Sequence, residues 1–464
     1  MANHASMVES VANGLRHSPL LRLCALGLLM LFLMIPIEWI SDLIGERMVR
    51  RGEAVAEVSA KWGGAQRFVG PALVVPYEHR WSEPDAKGKP VQKREMRQLT
   101  ILPSDLRMRA RVEGEERYRG IFAVPVYRVG VEVDGEFAAP DLAELRIDPT
   151  LVDWPRAQLA LGVRDARAIQ NRASVTWNDV PHDFLPGPGA FPVESGIHAP
   201  LAQPFAVPRP HFHFRLDAHG SGGLSFTPAG QQTTVSAESN WLSPSFQGSW
   251  LPVERHADAQ GFRSTWTIPY LGRNQAPAWT SESSGMIDQL EKLAFGVDLV
   301  TPVDAHRTSE RSVKYARLFV LMTFGIVWLI EVLTGVRVHP IQYLLIGCAL
   351  CTFYLLELSL AEQIGFASAY AIAATAVVGL IAGYAVVVLR GWRRGAAVAG
   401  TIAAVYGYLY VLLTNEDYAL LLGSLGVFAA LAATMALTRH VDWYAQTTRT
   451  THTVAPTLAP PEAL

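Results

Sequence analysis

Apolar residues are distributed so unevenly along this chain that their position constrains the fold more than any other feature. From Phe319 to Leu437 the sequence is almost continuously apolar, and a separate apolar run, Leu20–Ile40, lies near the N-terminus. An α-helix needs about 20 apolar residues to cross the ~30 Å hydrocarbon core of a bilayer. The two runs therefore predict an integral membrane protein whose spanning segments are α-helices.

The C-terminal run divides at its charges and turn residues into five spans of suitable length. The N-terminal run is interrupted only by Arg22 and Glu38, one near each end, where long side chains can reach the interface. No small-x-small cleavage site follows it, so we interpret it as an uncleaved anchor and not as a removed signal peptide. The six predicted spans are 20–40, 316–335, 341–361, 366–389, 395–414 and 418–438.

The short loops between the spans alternate in charge, and this alternation predicts an orientation. The loops after spans two, four and six carry arginine, whereas those after spans three and five carry acidic residues and neither Lys nor Arg. Because Lys and Arg concentrate on the cytoplasmic side, both termini are predicted inside a bacterial inner membrane, with the region between spans one and two outside. The basic residues are Arg337, Arg390, Arg393, Arg394 and Arg439, and the acidic ones are Glu362, Glu416 and Asp417.

The region between the first two spans predicts a large periplasmic domain of mainly β structure. Residues 41–64 have apolar side chains at helical spacing and end in a Gly-Gly pair, which predicts an amphipathic stalk helix. From 65 to 312, short β-branched or aromatic segments are bounded by turn residues, as is typical of an antiparallel sandwich. The segment 181–210 is interpreted as a long loop or as a linker between two lobes, which would be separated near the Pro-rich stretch 186–210. All three cysteines lie in apolar runs, so this domain is expected to have no disulfide or Cys-based zinc site.

Composition and motifs argue against several functional classes. The net charge of −2 gives no basis for nucleic-acid binding, which requires many phosphates to be neutralised. The chain has neither the His-Glu-x-x-His of zinc metalloproteases nor the Gly-x-Ser-x-Gly of serine hydrolases. His211 and His213 point to one face of a strand, with no obvious third ligand apart from Asp217 and His219, so two exposed histidines are the favoured interpretation. We therefore predict no catalytic residues, no metal and no cofactor.

Ionisable residues within membrane spans are the default functional candidates, because a charge is costly in the bilayer. Glu331 lies near the cytoplasmic end of span two, with Arg337 just beyond it, and Glu357 lies near the outer end of span three. Glu331 and Glu357 are therefore not expected to pair. No charged residue falls near the midplane of a predicted span, which argues against a secondary transporter.

Span four has small residues at every fourth position, which makes a smooth ridge along one helix face. Small residues at this spacing let helices approach closely. We expect the ridge to form a helix–helix contact, within the chain or between subunits, with a structural role. Its residues are Ala367, Ala371, Thr375, Gly379 and Gly383.

Several long motifs occur in the order found in one known family, and together they extend over nearly the whole chain. In the C-terminal cluster they are Glu331–Gly347, Phe353–Leu360, Asp417–Ser424 and Thr438–Tyr444. In the β-rich region they are Phe68–Pro71, Val163–Arg167, Ser239–Phe246 and Gly261–Trp266. In these motifs the chain resembles the CreD family of inner-membrane proteins, also called cell envelope integrity proteins.

The resemblance implies a role in envelope maintenance, which in this family is linked to a two-component system responding to envelope or cell-wall stress. It implies no catalytic residues. The N-terminal segment 1–19, expected in the cytoplasm, and the tail 445–464 contain no diagnostic motif. The Thr, Ala and Pro content of the tail predicts disorder.

Three functions compete at this point. The first is a non-enzymatic protein, anchored in the lipid bilayer, whose β domain binds an envelope protein or a cell-wall component. The second is a transporter or channel built on the five-helix cluster 316–438, and the third is an enzyme that uses carboxylates of the β domain. We favour the first, because catalytic motifs are absent and the span midplanes are uncharged. The ligand and the oligomeric state do not follow from the sequence.

Overall fold

The chain folds into two compact units, one made of the long apolar helices and one made of β structure. The computed structural model describes residues 19–87, 89–283, 285–300, 305–334, 338–415 and 418–439. The helical unit comprises Met1–Arg50 with Val303–Leu464, and the β unit comprises Arg51–Pro302. Arg337, the tail 445–464 and all but the last residue of the predicted segment 1–19 lie outside the described residues.

Six helices in the described ranges are long and apolar enough to cross a membrane, in agreement with the six predicted spans. The first has 44 residues, or about 66 Å at 1.5 Å per residue, so only part of it can lie within a ~30 Å hydrocarbon core. The helices are α1 Pro19–Trp62, α2 Met286–Lys292, α3 Ala305–Thr334, α4 Pro340–Ile364, α5 Phe366–Val388, α6 Trp392–Thr414 and α7 Ala419–Thr438.

Local sequence accounts for the start and end of α4. At its start, Pro340 occupies the first turn, where its missing N–H costs nothing. The His339 ring accepts a hydrogen bond from the Ile341 N–H at 3.3 Å, and the Gln342 side chain accepts one from the His339 N–H at 2.8 Å. At its end, Gly365 has φ 79°, a left-handed conformation that glycine adopts without strain. The chain therefore reverses there directly into α5.

A close approach between α1, α3 and α4 is possible because residue 347 is glycine. A Cβ atom at Gly347 would lie 2.2 Å from Leu33 Cδ1 and 3.1 Å from Phe324 Cζ. Leu33 and Ile37 of α1 are almost fully buried in the same core. The N-terminal part of α1 is therefore packed against the other helices of its unit.

Helix α3 begins earlier than the hydropathy pattern predicts. The segment 305–312, which its polar composition assigned to the β domain, is helical, and the β unit ends before it. Within it, Ser309 and Ser312 are fully buried. The apolar run from residue 316 thus predicts the membrane-crossing part of α3 but not its polar first turns, which bury these two serines in the helical unit.

The described residues of the β unit form seventeen strands in two sheets. One has nine strands in the order β13-β17-β11-β1-β5-β9-β8, with β2 on β1 and β16 on β2, and the other has eight in the order β14-β15-β12-β3-β4-β10-β6-β7. The strands are β1 Gln66–Pro84, β2 Pro90–Ile101, β3 Asp105–Arg119, β4 Phe122–Glu136, β5 Ala157–Val163, β6 Ser174–Trp177, β7 Val180–Asp183, β8 Leu185–Pro186, β9 Gly196–Leu201, β10 His211–Ser221, β11 Gly223–Phe226, β12 Gln232–Ser239, β13 Pro244–Gly248, β14 Glu254–Asp258, β15 Gly261–Ile268, β16 Ala278–Thr280 and β17 Phe295–Leu299.

The two sheets enclose one hydrophobic core, so the expectation of two lobes is wrong. Phe68 of the first sheet and Phe214 of the second belong to the same buried cluster. The stretch 186–210 contains the end of β8 and all of β9, which pairs with β5, and is not a linker. The sheets are also mixed, because β1 runs parallel to β11 and β3 parallel to β12. The sandwich-like, mainly-β character of the domain is confirmed.

Candidate binding groove and intramembrane carboxylates

Strand β3 shows how the eight-stranded sheet acquires a charged outer face. Successive side chains of a strand point to opposite sides, and in β3 Leu106, Met108 and Ala110 are buried while the arginines between them are exposed. The neighbouring strand β4 pairs with β3 in antiparallel register and places Glu132 directly opposite Arg109. Opposite charges therefore face each other across the sheet, which is a favourable cross-strand arrangement.

Ion pairs connect three adjacent strands on this face, β12, β3 and β4. Arg109 Nε lies 3.3 Å from Glu132 Oε2, and Arg109 Nη2 lies 3.1 Å from Asp134 Oδ2. Arg111 Nε donates to Glu238 Oε1 at 2.7 Å. Exposed pairs of this kind contribute little stability, typically up to about 1 kcal/mol. Their structural effect is to hold the guanidinium groups in defined positions.

Gly130 opens a groove in the middle of this charged face. It lies in β4, and a Cβ built on it would be 3.0 Å from Asp217 Oδ1 and 3.3 Å from Arg215 Nη2. The groove around it, called here the Gly130 groove, has a volume of about 490 Å³ and is lined by five arginines and four carboxylates. The arginines are Arg109, Arg111, Arg128, Arg215 and Arg263.

The composition of the Gly130 groove favours recognition of a polar ligand that carries both charges and hydroxyl groups. Guanidinium groups bind carboxylates and phosphates in a bidentate manner, and the carboxylates of the groove accept hydrogen bonds from ammonium and hydroxyl groups. Ser236 also lines the groove, directly across from Arg109.

One end of the groove is bounded by a stack that includes the last residue of α1. His219 lines the groove, and its ring lies parallel to the Trp62 indole with 4.0 Å between centroids. The Arg117 guanidinium lies 3.5 Å from the centroid of the Trp62 ring. Burial lowers the pKa of His219, and the nearby Arg128 and Arg117 lower it further. The neutral imidazole is therefore favoured in the stack.

In the helical unit, Glu331 connects α3 to α4. Its side chain is largely buried, and the Tyr343 hydroxyl donates a hydrogen bond to its Oε2 at 3.1 Å. A buried carboxylate needs such donors, because removing it from water without them is costly. The predicted neighbour Arg337 lies outside the described residues.

Glu357 makes a second connection between the same two helices. It is fully buried, and the Ser309 hydroxyl donates to its Oε1 at 2.6 Å. Ser309 and Glu331 are 22 residues apart on α3, or about 33 Å at 1.5 Å per residue. Glu331 and Glu357 are thus placed at opposite ends of α3 and do not pair with each other.

Comparison with known proteins identifies the family. The family described as Inner membrane protein CreD matches residues 18–444. The chain belongs to the CreD family. The Inner membrane protein CreD of Escherichia coli (strain K12) is 31% identical to it over 418 residues, covering 89% of this chain and 91% of that protein. Among solved structures, native yeast LTA4 hydrolase aligns with 49% of this chain and 35% of its own chain at 10% identity. The TM-score is 0.19, which is too low to indicate a shared fold.

Membership of the CreD family agrees with the architecture described above. The chain is an inner membrane protein with several membrane-spanning helices, to which a large β domain is joined between the first and second long helices. The match covers both the β domain and the helices, so the Gly130 groove and Glu357 both lie within the family region.

The small-residue ridge of this CreD-family chain lies on the exposed face of α5. All five ridge residues are exposed, and a Cβ at Gly379 or Gly383 would have no atom within 4 Å. The face of α5 that packs within the chain is a different one, with Tyr370, Ala373 and Val377 buried. The described residues thus provide no intrachain partner for the ridge, and a contact between subunits stays a proposal.

His211 and His213 of β10 are paired with carboxylates on the outer face of the sheet. His213 Nδ1 lies 2.8 Å from Asp134 Oδ1, and His211 Nε2 lies 3.4 Å from Asp179 Oδ1. Within the ranges that the structure describes, no group of three or more His, Cys, Asp or Glu side chains could hold a metal ion.

Two features of the candidate sites could not be found from the sequence pattern, for different reasons. The alternating arginines of β3 are visible in the sequence, but their carboxylate partners and Gly130 come from other strands, and only the register brings them together. Ser309 was missed because it precedes the apolar run of α3. A search for hydroxyl residues one or two turns before each span could have found it.

Proposed function

We propose that this CreD-family protein supports cell envelope integrity or the envelope stress response without catalysing a reaction. In this proposal the β domain binds a polar envelope component in the Gly130 groove, and the helices anchor it in the bilayer. The groove carries the proposal, because it is a preformed recess of about 490 Å³ whose charged groups are held by cross-strand pairs.

The arrangement of the groove supports binding more than catalysis. Ser236 and His219 both line it, but they lie on β12 and β10, which are three strand spacings apart in the sheet. At about 4.8 Å per spacing this is roughly 14 Å, too far for a nucleophile–base hydrogen bond. The arginine and carboxylate groups are paired with one another, so their charges position a ligand more readily than they transfer protons.

The proposal includes an orientation in the membrane. The arginine-containing loops are placed in the cytoplasm with both termini, and the β domain is placed in the periplasm, where envelope components are accessible to it. The charge alternation of the short loops supports this orientation.

Photo-crosslinking in intact cells tests the binding proposal without knowledge of the ligand. A photoreactive amino acid at Ser236 lies in the groove, and one at Thr267 lies on the exposed side of β15 outside it. We expect a discrete adduct from position 236 that is absent from position 267 and is lost when Gly130→Trp fills the groove. Identical adducts at both positions, or an adduct at 236 that persists in Gly130→Trp, would exclude the groove as the binding site.

A further inference from the structure

The carboxylate of Glu357 is buried in the helical unit with little to compensate its charge. It lies seven residues before the C-terminal end of α4, about 10 Å along the helix axis, and is fully buried. Ser309 donates to Oε1, but Oε2 has no hydrogen-bond partner. In an apolar surrounding, an ionised carboxylate with a single donor is strongly disfavoured.

The described part of the chain provides no cation that compensates the charge of Glu357. Two arginines of the helical unit are paired elsewhere, since Arg47 lies 3.6 Å from Glu362 and Arg317 lies 3.1 Å from Glu38. Among the described residues, no Lys, Arg or His lies within ion-pairing distance of Glu357. The buried carboxylate therefore lacks the partner that such groups usually have in membrane proteins.

The groups that do face Glu357 are neutral hydroxyls. The titratable ones are Tyr354 on its own helix and Tyr370 on α5, which interact with it electrostatically. The Tyr370 hydroxyl donates to the carbonyl of Tyr406 on α6 at 2.7 Å, so it is not available to the carboxylate. Helix α3 contributes the Ser309 hydroxyl. None of these groups supplies a positive charge.

A second unpaired oxygen lies close in sequence to Ser309. Ser312 is fully buried on α3, and its Oγ has no hydrogen-bond partner. Residues three apart on an α-helix lie on the same face, so Ser309 and Ser312 are neighbours on one side of α3. The described helical unit thus contains two buried oxygens, Ser312 Oγ and Glu357 Oε2, whose hydrogen-bonding capacity is unused, and Ser312 lies about one turn from the serine that bonds Glu357.

We propose that Glu357, with Ser309 and Ser312, forms a proton-binding site within the helix bundle. A proton taken from water forms an O–H bond at Glu357 Oε2, removes the buried negative charge and turns an unpaired acceptor into a donor. Release of the proton to water leaves an ionised carboxylate held by Ser309 alone, which weakens the α3–α4 contact. The site makes the packing of the bundle respond to protonation, and it is independent of the ligand groove.

Infrared spectroscopy of the full-length protein in lipid nanodiscs tests this proposal. The difference spectrum between acidic and alkaline buffer should contain a protonated carboxyl C=O band that disappears in Glu357→Gln. The matched control is Glu362→Gln on the same helix, whose carboxylate is paired with Arg47, and it should keep the band. If Glu357 is ionised at both pH values, or protonated at both, it does not exchange a proton and the proposal is wrong.

A chemical measurement addresses the identity of the bound cation. Dicyclohexylcarbodiimide modifies protonated carboxyl groups in apolar surroundings, and mass spectrometry locates the adduct. We expect modification of Glu357 that increases several-fold as the pH is lowered and does not change with sodium concentration at fixed pH. Protection by sodium would overturn the assignment in favour of a bound metal cation. Ser312→Ala should shift the pH dependence of the reaction, whereas Ser424→Ala, an exposed serine of α7, should not.

Discussion

At the scale of single residues, the charged face of the β domain is organised by what each arginine faces. Arg109 is paired with both Glu132 and Asp134 and lies directly opposite Ser236 in the neighbouring strand. Its side chain is more than half exposed, so solvent screens these pairs. The arrangement therefore shapes a recess at Gly130 more than it stabilises the fold.

The first prediction separates the contribution of Arg109 to stability from its contribution to ligand binding. Arg109→Ala should change the free energy of unfolding by less than about 1 kcal/mol, because exposed ion pairs contribute little. It should nevertheless reduce the yield of the adduct formed at Ser236, because a guanidinium of the groove is lost. Arg107→Ala, on the same strand but outside the groove lining, is the matched control. An unchanged adduct yield would mean that Arg109 takes no part in binding.

The second prediction concerns His219. Its lowered pKa means that the unfolded chain binds a proton more readily than the folded domain does. The contribution of His219 to stability is therefore present above the ordinary histidine pKa of about 6.5 and is lost as the pH falls below it. Replacing it with Phe keeps a ring against Trp62 and removes the proton site.

Thermal unfolding followed by circular dichroism at several pH values tests this expectation. His219→Phe should lose part of the decrease in unfolding temperature that the wild-type protein shows on acidification. His182→Phe, at a histidine on β7, is the control and should retain the wild-type decrease. Equal pH dependence of wild type and His219→Phe would show that the stack does not resist protonation.

At the scale of elements, close contact between the membrane helices depends on where glycine lies. Gly347 lies where Leu33 of α1 and Phe324 of α3 come within contact distance, whereas Gly379 faces open space. Both are glycines within apolar helices, and the small-residue ridge of the sequence predicted a helix contact at Gly379. The structure shows that the first is the position at which close packing within the chain requires glycine.

The third prediction follows from this contrast. Gly347→Leu should destabilise the helical unit by about 1–3 kcal/mol, because the new side chain would overlap Leu33 and Phe324. Gly379→Leu should change the stability of the monomer by no more than about 0.5 kcal/mol. Detergent-solubilised protein and a thermal unfolding assay suffice for the comparison. A large loss in Gly379→Leu would instead support a contact between subunits at the ridge.

The elements predicted best are those whose patterns are local. Apolar runs of sufficient length identified the six long helices, and Gly63, with φ 130°, ends α1 immediately after Trp62. The start of α3 at Ala305 could not be predicted, because its first turns are polar and their burial depends on Glu357 and other distant residues. The parallel pairing of β3 with β12 could not be predicted for the same reason, because the register between strands that are distant in sequence has no local pattern.

At the scale of the whole molecule, the protein combines a CreD-family set of membrane helices with a β domain large enough to have its own core. The six long helices and the family assignment make it an inner membrane protein. The side of the membrane on which the β domain lies determines which ligands can reach the Gly130 groove.

The fourth prediction is the orientation itself. In a background without native cysteines, Thr267→Cys should react with a membrane-impermeant thiol reagent once the outer membrane is permeabilised. Trp392→Cys, at the exposed start of α6 in an arginine-containing loop, should react only after the inner membrane is disrupted. Reaction of Trp392→Cys alone in cells with an intact inner membrane would reverse the orientation and place the β domain in the cytoplasm.

The most direct test of the central claim links the groove to the envelope. Leakage of a periplasmic enzyme is measured in cells under cell-wall stress whose chromosomal copy carries Gly130→Trp or the surface control Thr267→Trp, each at wild-type abundance in the membrane. Gly130→Trp should leak as much as a strain lacking the protein, because its groove is filled, while Thr267→Trp should match the wild type. If the Gly130→Trp strain retains the periplasmic enzyme as well as the wild type does, the claim that ligand binding in this groove supports envelope integrity is wrong.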